Sequence, residues 1–241
     1  MAMWIRAKRL VLGLAAVAAT CAAAGPVLAE SIAIIGTGRV AAALGPKFAQ
    51  LGHTVIYGSR EPTRSEVRNL VSTTGTNASA ATPQEAARKA GIVVLAVPGM
   101  AVEMVVTTLG DLSGKIIIDP TNPTRPGQDG LVEHAVPTSN AELIQALAPR
   151  AHVVKALNTL SAQTMADPSS AGGPITIPLA GDDAAAKAAV AELVEGIGFE
   201  TMDLGPVRYA NVLEGMLVVW INARAQGRPF DYYFRQPSQR R

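Results

Sequence analysis

The segment "AIIGTGRVAAAL", residues 33–44, constrains the fold of this chain more than any other stretch. A β-branched, apolar run enters Gly36-Thr37-Gly38, and a small-residue helical pattern follows at once. Glycines at such a junction allow a tight turn, and Ala41, in the place of a third glycine, still allows the helix to pack closely on the strand. The pattern predicts a strand–turn–helix unit of a parallel sheet, with a helix N-terminus that can receive a phosphate group.

Short β-branched runs alternate with alanine-rich amphipathic stretches along the rest of the chain. The predicted strands are Ser31–Ile35, Thr54–Tyr57, Ala78–Ala80, Ile92–Val97, Lys115–Asp119, His152–Ala156, Ile175–Ala180 and Phe199–Asp203. The predicted helices are Arg39–Leu51, Ser65–Thr73, Pro83–Ala90, Met100–Leu109, Asn140–Leu147, Asp182–Ile197 and Pro206–Asn222. This alternation is typical of an α/β fold with a doubly wound, mostly parallel sheet. Gly45-Pro46 lies inside the first predicted helix and is expected to bend or break it.

Residues 1–29 have the composition of a secretory signal, with a basic start, an apolar run and small residues before Ala29. We expect the chain to be exported by the Sec or the Tat pathway and to be cleaved after Ala29. The product would be a periplasmic or secreted protein comprising residues 30–241. The apolar run is shorter than the roughly 20 residues of a spanning helix, so we expect membrane contact only through this leader. Cleavage would remove Cys21, the only cysteine, and with it any disulfide or thiolate chemistry.

The leader also carries the apparent excess of positive charge. It holds three of the 21 basic residues and none of the 19 acidic ones, so residues 30–241 have a net charge of −1. A nucleic-acid partner therefore has no electrostatic support and is not expected. The arginine-rich and aromatic tail, residues 227–241, is instead predicted to be a closing strand with a frayed end.

The segment that follows the second predicted strand, "YGSREPTR", points to the identity of a dinucleotide cofactor. An Asp or Glu at this place would bind the ribose hydroxyls of NAD, whereas this chain has Ser59 and Arg60, with Arg64 nearby. Arginine can grip a 2′-phosphate with two hydrogen bonds, and Thr37 or Arg39 could close the other side. We therefore predict NADP; the alternative is that these arginines are merely solvated.

Two further strand ends belong to the same edge of the predicted sheet. Val97-Pro98 should lie on the nicotinamide side, and the proline-rich segment 119–123 should form a rigid loop that faces it. These prolines could also be simple strand terminators.

At this point the order and spacing of "IAIIGTGRVAAALGPKFAQLGHTVIYGSREP", "VVLAVPG", "IIIDPTNP" and "HVVKALNTLSAQTMADP" become informative. Together they make the chain resemble the NADPH-dependent deazaflavin (coenzyme F420) reductases, whose N-terminal fold is shared with pyrroline-5-carboxylate reductase. The resemblance implies a Rossmann-type domain with a small C-terminal extension, roughly residues 151–241, and a flavin or deazaflavin stacked over the nicotinamide. It also implies cofactor contacts from the turn and from the second strand, and an acceptor site at the later strand ends. The residues in question are Gly36, Thr37, Gly38, Arg39, Val40, Ser59, Arg60 and Arg64 for the cofactor, and Val97, Pro98, Asn122, Asn158 and Thr159 for the nicotinamide and acceptor.

Few residues are candidates for acid–base catalysis. His53 and His152 read as structural residues, whereas His134 lies in an irregular segment and is the histidine to test. Lys155 ends a predicted strand and is expected to orient a loop or bind a carboxylate rather than to donate a proton. Hydride passing between two rings needs mainly their alignment, so a scarcity of acids favours a ring acceptor.

Three functions remain open from the sequence. The first is an NADP-dependent oxidoreductase that passes hydride to a flavin or deazaflavin. The second is a reductase of a small carbonyl or imine compound, which would need a positioned acid. The third is a non-catalytic NADP-binding module or redox sensor. A homodimer that pairs through the apolar helix 206–222 is possible, although that apolar stripe is equally compatible with an ordinary core.

Overall fold

A computed structural model describes residues 29–237 of the chain. The predicted leader up to Leu28, with Cys21, lies outside these residues. The strands are β1 Ser31–Ile35, β2 Thr54–Gly58, β3 Ala78–Ala81, β4 Ile92–Leu95, β5 Ile116–Asp119, β6 Thr124–Pro126, β7 Val132–His134, β8 His152–Lys155, β9 Thr176–Ala180 and β10 Glu200–Gly205. The α-helices are α1 Arg39–Gln50, α2 Ser65–Thr74, α3 Pro83–Lys89, α4 Val102–Val106, α5 Asn140–Leu147, α6 Ala162–Ala166, α7 Ala184–Gly196 and α8 Ala210–Ala225.

Eight strands form one sheet in the order β10-β9-β8-β5-β4-β1-β2-β3, and β6 and β7 form a separate hairpin. In the eight-stranded sheet, the neighbouring strands from β8 across β5, β4, β1 and β2 to β3 pair in parallel, and so do β9 and β10. The pair β8 and β9 is antiparallel and joins through one residue pair, Lys155 with Ala180. Because that pair connects the last residue of each strand, β9 extends beyond the carboxyl end of β8. The predicted α/β fold with a mostly parallel sheet is confirmed.

The central strands β1, β4, β5 and β8 of the sheet are buried on both faces. In β1, Ile32 and Ile34 join a core cluster with α1, α6 and α7, while Ala33 and Ile35 join a second cluster with α3, α4 and α5. Alternate side chains of a strand point to opposite faces, so a continuous apolar run is the pattern of a doubly covered strand. The carboxyl ends of β1, β2, β4, β5 and β8 therefore meet at one edge, between the two helical layers.

The expectation that Gly45-Pro46 breaks the first helix is wrong. α1 runs without interruption from Arg39 to Gln50 with Pro46 inside it. Leu44 and Phe48, on either side of the proline, are both buried in the core and hold the helix on the sheet. A Cβ on Gly45 would lie 1.8 Å from the Tyr57 hydroxyl, so this glycine is required by packing rather than by a kink.

Several predicted boundaries also need correction. β4 ends at Leu95 rather than Val97, because the chain turns at Ala96 and brings its carbonyl to the glycine turn. The helix predicted from Met100 is a short 3-10 turn, Gly99–Ala101, followed by the five residues of α4. The β6–β7 hairpin and α6 were not predicted, because neither three-residue strands nor a five-residue helix leave a periodic pattern.

The C-terminal tail forms no regular strand within the described residues, so the predicted closing strand is wrong. A single backbone bond ties it to the sheet, from the Thr176 N–H to the Phe234 carbonyl at 2.8 Å. Tyr233 packs against the core, and Arg235 donates to the Ala171 carbonyl. The tail is therefore held by side chains. Within residues 29–237 no helix has the length and apolar character needed to cross a bilayer.

Candidate functional site

The turn after β1 has a backbone that only glycine can adopt. Gly36 has a φ of +113°, and a Cβ at this position would lie 2.2 Å from the Ala96 carbonyl oxygen. Its N–H donates to the Gly58 carbonyl at 2.9 Å, which ties the turn to the end of β2. Strand β4, strand β2 and the turn are thus packed together through backbone atoms.

The N-terminus of α1 is open to solvent and to an anion. Gly38 occupies the N-cap position without a side-chain cap, and the first turn of α1 contains no acidic residue. A Cβ built on Gly38 would have no other contact within 4 Å. The unpaired N–H groups and the partial positive charge of the helix end favour a phosphate here. Arg39 is exposed beside the turn, whereas the Val40 side chain packs against the core, which leaves only its backbone N–H to face a ligand.

The residues predicted to bind a 2′-phosphate follow the end of β2. Ser59 is buried, and its hydroxyl accepts a hydrogen bond from the Glu61 N–H at 3.2 Å. Arg60 is exposed and follows directly. Arg64 is also exposed, and its Nε lies 3.2 Å from a carboxylate oxygen of Glu66. Arg60 is therefore the better placed of the two arginines to meet a phosphate, because Arg64 already has an acidic neighbour.

The loops after β4, β5 and β8 pack closely on the nicotinamide side of the turn. A Cβ on Gly99 would lie 2.0 Å from the Asn122 carbonyl oxygen, so the loops after β4 and β5 touch through their backbones. Val97 is half-buried and Pro98 is exposed at this edge. The Asn158 amide donates to Asn122 Oδ1 at 2.9 Å, and the Asn122 amide donates to the Asn158 carbonyl at 3.0 Å.

The residue before Asn158 has an uncommon backbone. Leu157 is buried and has a φ of +64°, the left-handed region that costs a residue with a Cβ about 1–3 kcal/mol. Asn158 is held on both sides, since its amide also donates to the Leu213 carbonyl in α8 at 2.9 Å. The β8 loop is thus locked in a strained conformation by the amide pair and by α8.

An open cleft of about 600 Å³ lies between the N-terminus of α1, the loop after β8, α8 and the C-terminal tail. We call it the aromatic cleft; its lining includes Arg39, Thr159, Leu217, Trp220, Arg224 and Tyr232. The Arg224 guanidinium lies 5.6 Å from the centre of the Trp220 ring. The Tyr232 hydroxyl is buried without a hydrogen-bond partner among residues 29–237, and burial raises the Tyr232 pKa. The cleft thus offers aromatic faces and cations beside the phosphate-binding turn.

Below the loops lies a group of buried charges, Lys155, Asp119, Glu214 and the half-buried His134, which we call the charge cluster. The Lys155 ammonium is fully buried and donates to Asp119 Oδ2 at 2.9 Å, to Glu214 Oε1 at 2.5 Å and to the Thr121 carbonyl at 2.5 Å. Asp119 Oδ1 also accepts from the Thr121 N–H at 2.9 Å. The cluster fixes the loop after β5 from beneath.

Glu214 connects this cluster to a histidine and to α5. Its Oε1 also accepts from the Asn140 N–H at 2.9 Å, and its Oε2 lies 2.9 Å from His134 Nε2. Burial raises the Glu214 pKa, and the charge and hydrogen bond of Lys155 oppose that rise. Burial is the largest cause, so the carboxyl holds a proton more readily than an exposed glutamate.

The structure thus brings together some of the predicted candidates and separates others. Lys155 binds two carboxylates, which is one of the two roles expected for it. His53 is buried and its Nδ1 accepts from the Glu30 N–H, and the half-buried His152 contacts Asp183 at 3.3 Å. Both histidines lie away from the site edge. Glu214 was missed, although a lone carboxylate in the apolar stretch "VLEGMLVVW" is itself a signal of buried pairing.

The part of the chain that the structure describes contains no group of three or more His, Cys, Asp or Glu side chains arranged to hold a metal ion.

Comparisons with known proteins agree with this geometry. Residues 31–123 match the family described as NADP oxidoreductase, coenzyme F420-dependent. A candidate F420-dependent NADP reductase from Arthrobacter sp. FB24 is 32% identical, with a TM-score of 0.78 over 87% of this chain and 100% of that one. The hypothetical protein SMa0349 from Sinorhizobium meliloti is 30% identical, with a TM-score of 0.65 over 75% of this chain and 88% of that one.

A curated relative is larger. The metalloreductase STEAP3 of Rattus norvegicus is 29% identical over 79% of this chain. The matched region covers only 37% of the length of STEAP3. The predicted likeness of the N-terminal part to pyrroline-5-carboxylate reductase is not tested by these matches and stays a prediction.

Proposed function

Because this chain belongs to the coenzyme F420-dependent NADP oxidoreductase family, we propose that it binds NADP(H) at the glycine turn and exchanges hydride with a flat ring acceptor in the aromatic cleft. The acceptor class that we propose is a flavin or a deazaflavin. The cleft carries this proposal, since it places an indole, a phenol and two guanidinium groups next to the phosphate-binding turn.

The residues at the turn fit a dinucleotide. The open N-terminus of α1 would hold the pyrophosphate, and the absence of a side chain at Gly38 leaves room for close approach of the phosphates. Ser59 and Arg60 would hold the 2′-phosphate, with Thr37, Arg39 and Arg64 in supporting positions. When bound, NADPH supplies a hydride. The chain's own part is to orient the ring by the packed loops after β4, β5 and β8.

The acceptor side is suited to stacking and to negative charge. An aromatic ring packs favourably on Trp220, and Arg224, already in contact with Trp220, can meet a phosphate or carboxylate on the acceptor's side chain. The Tyr232 hydroxyl has no hydrogen-bond partner within residues 29–237 and can donate to a ring oxygen or nitrogen. We propose that Asn122, Asn158 and Thr159 contact the acceptor, because Thr159 lines the cleft and the bonded pair Asn122 and Asn158 lies in the loops next to it.

The arrangement of titratable groups supports a ring acceptor over a carbonyl or imine. Within the described residues the charged side chains beneath the loops, Lys155, Asp119 and Glu214, are fully buried and bonded to one another. Reduction of a carbonyl or imine needs a proton donor in contact with the substrate, whereas hydride transfer between stacked rings does not. His134 remains the donor to test for the rival reaction.

The cofactor is tested by fluorescence titration of residues 30–241 with NADPH and with NADH. We expect tighter binding of NADPH, and in Arg60→Ala a loss of this preference by about 10- to 100-fold, the value of one charge-assisted hydrogen bond. Arg150→Ala is the matched control, since Arg150 is an exposed arginine at the opposite edge of the sheet. Equal binding of the two nucleotides by the unaltered protein would refute the assignment of NADP.

The acceptor is tested by the rate of NADPH oxidation with FMN, FAD, a deazaflavin and a cyclic imine, each supplied in turn. Trp220→Leu should raise the KM for the ring acceptor about 3- to 10-fold, while Trp220→Phe should retain most of the affinity. Faster oxidation with the imine, abolished in His134→Gln, would favour the rival function. Binding of NADPH without oxidation by any acceptor would favour a binding module.

Export and pairing are further proposals. We propose that the leader is removed after Ala29 and that the mature protein acts outside the cytoplasm; the N-terminal residue of the secreted protein tests this. Val212 and Val219 on α8 are exposed and are compatible with a homodimer, which sedimentation velocity tests.

A further inference from the structure

The hydrogen bonds of the charge cluster fix where its protons are. All three N–H groups of Lys155 have acceptors, on Asp119, Glu214 and the Thr121 carbonyl. With the ammonium charged and both carboxylates ionised, the three side chains together carry a net charge of −1 in a site without solvent. A buried net charge is costly, so one further proton is needed to make the cluster neutral.

The histidine identifies the position of that proton. His134 Nδ1 lies 2.8 Å from the Val136 carbonyl, which can only accept, so Nδ1 carries a hydrogen. His134 Nε2 lies 2.9 Å from Glu214 Oε2, and a hydrogen bond between them requires one more proton. That proton sits on the imidazole or on the carboxyl; both arrangements make the cluster neutral. Without it, a nitrogen lone pair faces a carboxylate lone pair.

We propose that this shared proton controls the geometry of the acceptor site, with Glu214 and His134 as positioning residues for hydride transfer. The proton keeps Glu214 of α8 bonded to His134 of β7, and so fixes the carboxyl group whose other oxygen accepts from Lys155 and Asn140. Loss of the proton turns the pair repulsive and releases that side of α8. This inference rests on the proposed function, because it concerns how the acceptor cleft is aligned with the nicotinamide side.

The contacts of α8 and α5 connect the cluster to both parts of the site. Leu217, which lines the aromatic cleft, is one turn after Glu214 on α8. The Leu213 carbonyl accepts from the Asn158 amide in the strained β8 loop. Asn140, whose N–H donates to Glu214, also donates through its side chain to the Gly99 carbonyl and to Thr121 Oγ1. A displacement of Glu214 therefore reaches the cleft wall and the loops at once.

The surroundings of Glu214 make His134 the route for the proton. The charged or titratable groups that face Glu214 are Asp119 from β5, Lys155 from β8 and His134 from β7, while α5 contributes only the uncharged Asn140. The His134 side chain is 24% exposed and is the only member of the cluster in contact with solvent. Burial raises the Glu214 pKa, which favours retention of the proton by the pair.

The test compares the unaltered protein with Glu214→Gln from acidic to alkaline pH. A glutamine amide can accept from Lys155 and Asn140 and donate to neutral His134, so it reproduces the protonated pair but cannot titrate. We expect the KM for the ring acceptor of the unaltered protein to rise about tenfold towards alkaline pH, the value of one lost hydrogen bond, with little change in NADPH affinity. In Glu214→Gln this rise should be absent. His152→Gln, which alters a half-buried histidine at the other end of β8, should behave as the unaltered protein.

A second variant and a second readout keep the test decisive. In His134→Gln the amide can donate to the Glu214 carboxylate or accept from the Glu214 carboxylic acid, so the contact persists in either protonation state and its pH dependence should also disappear. This variant replaces Glu214→Gln if Glu214→Gln does not fold. The fluorescence lifetime of bound NADPH reports the rigidity of the nicotinamide pocket without turnover. If no acceptor is reduced, the proposed function fails, while a pH-dependent lifetime that the variants remove still supports the shared proton. An unchanged pH dependence of KM and lifetime in both variants would overturn it.

Discussion

The glycine turn and the charge cluster lie at the same edge of the sheet but are built in opposite ways. The turn consists of backbone atoms from residues 35–39 and of carbonyls at neighbouring strand ends. The charge cluster consists of side chains whose directly bonded pairs are separated by 36 to 80 positions along the chain, and it is held by hydrogen bonds and ion pairs. The first can be recognised from a short segment, whereas the second exists only after the sheet and α8 have come together. Substitutions should therefore act differently in the two regions.

The largest effect should come from Lys155→Met. The substitution leaves Asp119 and Glu214 buried without their common cation, and breaking a buried ion pair typically costs about 3–5 kcal/mol. Urea unfolding at neutral pH should show this loss of free energy of unfolding, and the deficit should shrink on acidification. The reason is that burial raises the Glu214 pKa in the folded protein above its value in the unfolded chain. Protonation of Glu214 therefore increases the free energy of unfolding at low pH, and this increase is lost as the pH rises through the pKa of the folded state. A loss below about 1 kcal/mol would mean that the cluster adds little to stability.

Gly36→Ala should come next. The left-handed φ and the close Ala96 carbonyl together should cost about 3 kcal/mol, and the turn should no longer fit a nucleotide. Chemical denaturation and NADPH titration measure the two effects. Normal stability together with normal binding would show that the turn relaxes easily and is not the rigid element described above.

Gly38→Ala sharpens the comparison, since it alters the same turn without a clash. Its φ of −84° suits any residue and its surroundings are empty, so we expect a stability change below about 1 kcal/mol. A methyl group at the N-terminus of α1 would nevertheless obstruct the pyrophosphate and should weaken NADPH binding about tenfold or more. Unchanged affinity would place the phosphates elsewhere.

Arg64→Gln should have the smallest effect on stability. The Arg64–Glu66 pair is exposed, and such pairs contribute at most about 1 kcal/mol. Thermal unfolding should be nearly unchanged, while NADPH affinity should fall less than in Arg60→Ala. A larger loss of affinity than in Arg60→Ala would reverse the assignment of the 2′-phosphate contact.

The sequence was informative where structure follows from neighbouring residues. The parallel strands β1 to β5 and β8, the capped helix α3 and the glycine turn were predicted because turn chemistry and apolar patterns act over a few positions. Pro46 misled the prediction, because buried Leu44 and Phe48 outweigh the local cost of a proline. The partners of Lys155 could not be assigned, since Glu214 is 59 residues away and meets it only through tertiary packing.

The single antiparallel pair between Lys155 and Ala180 has a consequence for how such a protein can change. All regular sheet pairing between the nucleotide-binding strands and β9–β10 passes through this one pair, and we call this junction the seam. At the seam, side-chain packing rather than a ladder of hydrogen bonds provides most of the contact between the two groups of strands. On one side of the seam lie the strands that would hold the cofactor, and on the other lie two strands that extend beyond their carboxyl edge. Substitutions or insertions beyond the seam can reshape one wall of the edge without disturbing the strand register that places the glycine turn. The seam therefore separates the strands next to the glycine turn from β9 and β10, and chimeras between relatives should be joined there.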